Sequence, residues 1–343
     1  MDNKKRPTLK TIASLAGVST YTVSRSLGGF SDVSAETSMR IKKIAHSIGY
    51  TPNAHARNLS MKRTNTIGMI VPTLGPETAY SDVINSVTKA AAAKDICVQL
   101  GSCDRSVELE KEYCKMMCEN RVGALIAVTV SSDVSHIKEI CKNVVPIIFL
   151  GGKTGLDEDC SLSINYSHSA WLAVTHLYYL GHTDIALFLY HPENNTIAQK
   201  RSGYLRSMEK YNLQPRVYMD GHSSDTFTAG YMLTEQLILS HSLPSAIWCA
   251  SDLMAFGVTE ALKKNNYSIP RDVSVIGHDN LFFTSSPSIS ISTFNLPKEE
   301  MGLYAVDLAL SFMENLDTTI EKKRFFNASL IERNSTGVFY KSL

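Results

Sequence analysis

Apolar positions recur along this chain with two different periods, and the change of period divides it. In TLKTIASLAGVSTYTVSRSLGG (residues 8–29), Leu9, Ile12, Ala13 and Ala16 keep a 3–4 spacing that makes one apolar helical stripe. Thr8 is placed to cap that helix and Gly17 to end it, because helices commonly close on a left-handed residue. Ser19 caps a second short helix, Thr20 to about Leu27, with Val23 and Leu27 turned inward. Its other side carries Thr20, Tyr21, Ser24 and Arg25, all able to donate hydrogen bonds. A third helix starts at Ser34, runs through Ile41, Ile44, Ala45 and Ile48, and stops at Gly49. The pattern predicts a helix-turn-helix over residues 1–50, whose second helix suits the major groove of duplex DNA.

The next stretch, YTPNAHARNLSMKRTN, is different in kind. Pro52 favours a turn, Asn53 can cap, and Ala54 to Leu59 forms a helix too short to be stable alone. With the basic Lys62-Arg63 behind it, residues 51–65 read as a hinge helix and linker that folds against DNA.

From Thr66 onward continuous apolar runs alternate with helical patterns. The runs are IGMIVP (67–72), ICVQLG (96–101), GALIAV (123–128), VPIIFL (145–150), DIALFLY (184–190), SAIWCA (245–250) and VSVIGH (273–278). Helical patterns cover Ser81–Lys94, Glu108–Asn120, Ser167–Tyr179, Ala198–Tyr211 and Leu253–Asn265. Strands of this kind between helices predict parallel sheets covered on both faces. The series restarts near Asp184, which predicts two similar lobes.

Charge sharpens this division. Residues 1–63 hold 11 Lys and Arg against three acids, +8, while the remainder holds 23 against 30, −7. A basic head on an acidic body predicts a polyanionic partner for the head alone. No run of 18 apolar residues exists, and the basic start MDNKKRPTLKT leads into no apolar signal core, so a cytoplasmic protein without a membrane partner is expected. The seven cysteines are an odd number without metal spacing, and they read as idle thiols rather than metal ligands.

TIASLAGVSTYTVSR, VSAETSMRIKKIAHSIGYTPN and ARNL resemble the head of the lactose/galactose repressor (LacI/GalR) family of bacterial transcription regulators. HLYYLGHTDIALF (176–188), CASDLMAFGVTEAL (249–262) and VSVIGHDN (273–280) extend the resemblance along the body. It implies a small all-α helix-turn-helix head and an α/β two-lobed body like the periplasmic sugar-binding proteins, built on parallel sheets. Chain crossings are then expected near 162, 291 and 325. The first lobe would comprise about 66–162 and 292–325, the second about 163–291 and 326–343.

The resemblance also implies the site residues. Thr8, Ser19, Thr20, Tyr21, Ser24 and Arg25 would meet DNA; Arg can bond guanine through two donors, and Thr or Tyr can touch a thymine methyl. Asn53, Ala56, Arg57 and Leu59 match the hinge, whose Leu wedges into the minor groove. For the effector, Asp279 would accept sugar hydroxyl bonds, Ser251 stands where the family often has Asn, and Tyr80 matches an aromatic position bordering the ligand. The family's sugar-contacting Arg lies three residues before a Gly; in QKRSGY that position is Lys200 with Arg201 beside it, and either cation can face inward. The family's Asp after the fourth strand is absent, since Phe149-Leu150 leads into Gly151-Gly152.

These features imply a regulator, most simply a repressor, with no cofactor. It would bind a pseudo-palindromic duplex as a homodimer, under control of a small molecule such as a sugar or sugar phosphate. No leucine heptad of the kind that tetramerises the lactose repressor accompanies NSTGVFYKSL, so a dimer is expected. An enzyme finds no support, because no phosphate-binding loop, HExxH or G-x-S-x-G elbow occurs. His278-Asp279 is the most catalytic-looking pair, yet it fits a binding pocket better. A solute-binding protein of a transporter fits the body but not the head.

Overall fold

The computed structural model describes residues 7–28, 30–51, 64–75, 80–151, 160–190, 195–221, 223, 225–314 and 320–340. It divides into two compact units, Met1–Thr64 and Asn65–Leu343.

The first unit is three helices, α1 (Leu9–Ala16), α2 (Thr20–Leu27) and α3 (Ala35–Ser47). At the start of α1 the Thr8 hydroxyl accepts from the Thr11 amide at 3.3 Å, and the Thr11 hydroxyl accepts from the Thr8 amide at 3.2 Å. Gly17 closes the helix at φ 64°, a conformation that costs a residue with a Cβ about 1 kcal/mol. Ser19 and Ser34 cap the next two helices through the amides of Thr22 and Thr37. Ile12, Val23 and Ile41, all fully buried, meet with Ala13, Ala16 and Ala45 in a core of their own.

The second unit holds a six-stranded and a four-stranded sheet, both parallel throughout. The first runs β11 (Lys323–Phe326), β5 (Ser161–Ile164), β4 (Ile147–Leu150), β3 (Ala124–Ala127), β1 (Thr66–Val71), β2 (Cys97–Ser102). The second runs β7 (Arg216–Asp220), β6 (Ile185–Tyr190), β8 (Ala246–Cys249), β9 (Ser274–Ile276). A short antiparallel pair, β10 (Thr293–Asn295) and β12 (Ser329–Ile331), accompanies them. β11 pairs with β5, so a late segment completes the sheet that early segments began, and the lobe built on that sheet is discontinuous in sequence.

The intervening helices are α4 (Tyr80–Ala92), α5 (Val107–Glu119), α6 (Ser135–Cys141), α7 (Tyr166–Tyr179), α8 (Asn195–Lys210), α9 (Thr226–Leu239), α10 (Asp252–Lys264) and α11 (Lys298–Met313). α11 packs on α4, α7 on α8, and α9 on α10. The last pair touches closely: a Cβ on Gly257 would lie 2.0 Å from the Phe227 carbonyl oxygen, so no side chain fits there.

The two-lobed α/β body with parallel sheets agrees with the expected architecture, with two differences in detail. ICVQLG is a strand, yet Cys97 and Leu100 are exposed, because β2 lies at a sheet edge with one neighbour. The strands β5, β7, β10, β11 and β12 were not expected. TFN and SLI are too short, and SLSI, RVYMD and KRFF too polar, to stand out as apolar runs.

Candidate functional site

In the head, the outward side of α2 presents Thr20, Tyr21 and Ser24, all exposed, while Val23 opposite them is fully buried. Arg25 extends along the same surface. Its Nε donates to both carboxylate oxygens of Asp32, at 3.0 and 2.8 Å, and its guanidinium carbon lies 3.9 Å from the centre of the Phe30 ring. Thr8 and Ser19 have their hydroxyls committed to helix caps. Asn53, Ala56, Arg57 and Leu59, expected in the hinge, lie outside the described residues.

In the body, a cavity of about 180 Å³ opens at the carboxyl ends of both sheets. Open parallel sheets bind ligands there, beside the point where strand order reverses. That point lies between β1 and β3 in one sheet and between β6 and β8 in the other. Arg105 lines the cavity after β2, Val128 after β3, Leu150 and Gly151 at the end of β4, and Ile164 at the end of β5. From the other lobe come Tyr190 at the end of β6, Ala250 and Ser251 after β8, and Asp279 after β9. Tyr80, Tyr166, Lys200 and Lys298 complete its polar lining with Thr196 and Thr226.

The structure thus brings Tyr80, Lys200, Ser251 and Asp279 to one cavity. Arg201 does not join them; it is exposed on α8 and absent from the lining, which corrects its nomination. Neighbouring positions on a helix point about 100° apart, so only one of the two cations can face inward. Lys200 is 2% exposed, and its Nζ donates to the Ala250 carbonyl oxygen at 2.6 Å and lies 5.0 Å from the centre of the Tyr166 ring. Burial pulls its pKa down to about 8, against the pull of Asp279 and Asp252 in the other direction.

Asp279 sits at φ 114°, a backbone region that side-chain-bearing residues rarely enter. Its carboxylate accepts from His278 Nδ1 at 3.0 Å, and its carbonyl oxygen accepts from Lys298 Nζ at 2.8 Å. His278 is fully buried, with its ring 5.6 Å from Tyr166 and 5.3 Å from Phe294, and burial lowers its pKa to about 4. It stays neutral and, with its proton on Nδ1, donates to the Asp279 carboxylate, which lines the cavity. Ser251 caps α10, accepting from the Met254 amide at 3.2 Å, so its hydroxyl proton remains to donate to a ligand. Asp252 is structural: buried, it accepts from the Leu281 amide at 2.7 Å and from the Thr293 hydroxyl. Burial, then repulsion by Asp279, raises its pKa to about 7. Burial also raises the pKa of Tyr80, Tyr166 and Tyr190, so three neutral phenols with aromatic faces line the site.

Comparison with known proteins fits both halves. Residues 8–53 match the sequence model of bacterial regulatory proteins of the lacI family, and residues 174–336 that of a periplasmic binding protein-like domain. The chain belongs to the LacI/GalR family. This LacI/GalR-family protein is a DNA-binding transcriptional regulator with an effector-binding domain. It is 28% identical to the HTH-type transcriptional repressor PurR of Vibrio campbellii (strain ATCC BAA-1116) over 336 residues, covering 96% of this chain and 98% of that one. It is 27% identical to catabolite control protein A of Priestia megaterium over 318 residues, covering 91% and 95%. Among solved structures, the lac repressor dimer bound to operator and the anti-inducer ONPF superposes with a TM-score of 0.87 at 26% identity, covering 97% of this chain and all of that one. No helix among the described residues is long and apolar enough to cross a membrane.

The family motifs did not single out four lining residues of this LacI/GalR protein: Arg105, Tyr166, Tyr190 and Lys298. Tyr190 closes the run DIALFLY, and the strand-end rule that nominated Asp279 applies to it equally. Tyr166 follows a strand too polar to notice, and Lys298 opens a helix that the apolar spacing did not reveal.

Proposed function

We propose that this regulator binds a near-palindromic operator as a homodimer and releases or grips it according to an effector held between its lobes. The observation that carries the DNA half is the row of exposed Thr20, Tyr21 and Ser24 with half-buried Arg25 beside them, on the second helix of a +8 head. A dimer places two such helices in successive major grooves, one half-site each. Leu59, in the expected hinge, would wedge the minor groove between the half-sites. The related lac repressor is a dimer on its operator, which supports the same assembly here. Duplex DNA as partner supports a cytoplasmic location, and transcriptional repression is the simplest outcome of its binding.

For the effector, the lining supports a sugar derivative carrying an acidic group. Asp279 and Ser251 suit hydroxyls, and the phenol faces suit the apolar side of a sugar ring. Arg105, Lys200 and Lys298 line the cavity beside one lining carboxylate, and since Lys298 is paired with Asp82, Arg105 and Lys200 are the two cations set against it. A sugar phosphate or sugar acid answers that imbalance better than a neutral sugar. Effector and DNA then bias one equilibrium, so each changes the other's affinity by the same factor.

The test is a genomic DNA pull-down with the full chain, followed by titration of the recovered operator against sugars and sugar acids handled by the adjoining genes. A shared pseudo-palindrome, with binding that weakens steeply with salt, is expected. Recovery of DNA with no common motif would overturn the reading.

A further inference from the structure

Arg25 is held from behind. Asp32, in the turn between α2 and α3, takes the Nε edge of the guanidinium with both oxygens, at 3.0 and 2.8 Å. The Phe30 ring lies 3.9 Å from the guanidinium carbon, and the Tyr21 ring 5.9 Å on. The two terminal nitrogens make no hydrogen bond within the described residues. They are the pair that meets O6 and N7 of a guanine.

Resting on the reading of Arg25 as a base contact, we propose that Asp32 is a specificity-determining residue that aims the Arg25 fork while weakening binding to DNA of every sequence. Two physical effects act together. Arg has a long, rotamer-rich stem, and a fork already fixed in direction loses less freedom when it meets its base. A free guanidinium would instead reach the nearest phosphate as readily as a guanine, and phosphate contacts carry no sequence information. Asp32 also sets a negative charge, 47% exposed, on the surface that faces DNA, and like charge repels the backbone. Affinity falls on all duplexes, and the right base recovers it.

This combination predicts opposite signs for two measurements, which a merely structural role cannot produce. Full-length Asp32→Asn and Asp32→Ala proteins are compared with the parent by selection on random duplexes, by competition of operator against random DNA at two salt concentrations, and by melting curves. Asp32→Asn keeps the size of the side chain, so the test survives if Asp32→Ala folds poorly. Expected are a relaxed preference at one base of each half-site, a two- to tenfold gain on random DNA, a specificity ratio at least fivefold lower, and an unchanged melting temperature. Arg25→Ala should relax the same base, and Asp32→Asn added to it should relax nothing further. A selected motif and specificity ratio that Asp32→Asn leaves unchanged or sharpens would overturn the proposal, because Asp32 would then only sequester Arg25. If Arg25→Ala itself preserves the motif, the base-contact reading has failed first, and the two failures are told apart.

Discussion

Lys298 joins the lobes at Asp279: its Nζ donates to the Asp279 carbonyl oxygen at 2.8 Å and to Asp82 Oδ2 on α4 at 2.7 Å. One ammonium thus steadies the unusual backbone of the main acidic site residue and ties it to a helix of the other lobe.

Lys298→Met should therefore loosen the effector domain. Hydrogen bonds to charged groups are worth about 1.5–3 kcal/mol, which for a domain of this size corresponds to a fall in melting temperature of roughly 3–10 °C. A melting curve reads it directly. An unchanged transition would mean that the link carries no weight in solution.

Arg25→Ala should lower operator affinity roughly five- to hundredfold and relax one base of each half-site, while binding to random DNA changes little. Competition with random duplex separates the two. Equal loss on both would make Arg25 a phosphate contact.

Asp279→Asn should abolish the effector response and leave unliganded operator binding intact. Asn tolerates positive φ, so the substitution removes charge with little backbone strain. Losing charge-assisted bonds to hydroxyls should raise the effector dissociation constant at least tenfold. Calorimetric titration beside a melting curve distinguishes this from a structural defect, in which stability falls and affinity does not.

Lys200 gives the effector site a pH dependence. With its pKa near 8 in the free protein, it loses charge as pH rises through that value. Affinity for an acid-bearing effector should therefore drop between pH 7 and pH 9, and in Lys200→Met it should be weaker and flat across the interval. A parent affinity that does not move would argue for a neutral ligand.

Stability should fall on the acid side for a different reason. His182 is fully buried between Ser245 and Ser274, and burial lowers its pKa to about 4, as it does that of His278. Free His titrates near 6.5, so below that pH the unfolded chain binds protons that the folded chain refuses. The stability these residues provide is complete above about 6.5 and is lost as pH falls toward 4. Asp252, with its pKa raised to about 7, opposes the trend over the same window. Two histidines outweigh one carboxyl, so the melting temperature should drop between pH 7 and pH 4.5. His182→Asn should flatten that slope, whatever it does to stability at neutral pH.

Much of this protein can be read from local pattern. Helix caps at Thr8, Ser19 and Ser34, and the left-handed Gly17, act within four residues of themselves, so the sequence alone determines the head. The same holds for the longest apolar strands, whose burial on two faces leaves a continuous run, and for Asp279, which closes such a run. What lies beyond those limits depends on distant partners. β11 becomes a strand because β5 offers it an edge. Whether Lys200 or Arg201 faces inward depends on how α8 is rotated against α7, which no spacing around QKRSGY records. Cavity walls at Arg105, Tyr166 and Lys298 come from segments far apart in sequence, and Asp32 reaches Arg25 only because the turn after α2 folds back. Local chemistry selects the elements, since capping and periodicity are short-range forces. The sites form where separate elements converge, and only packing of the whole chain decides which side chains meet.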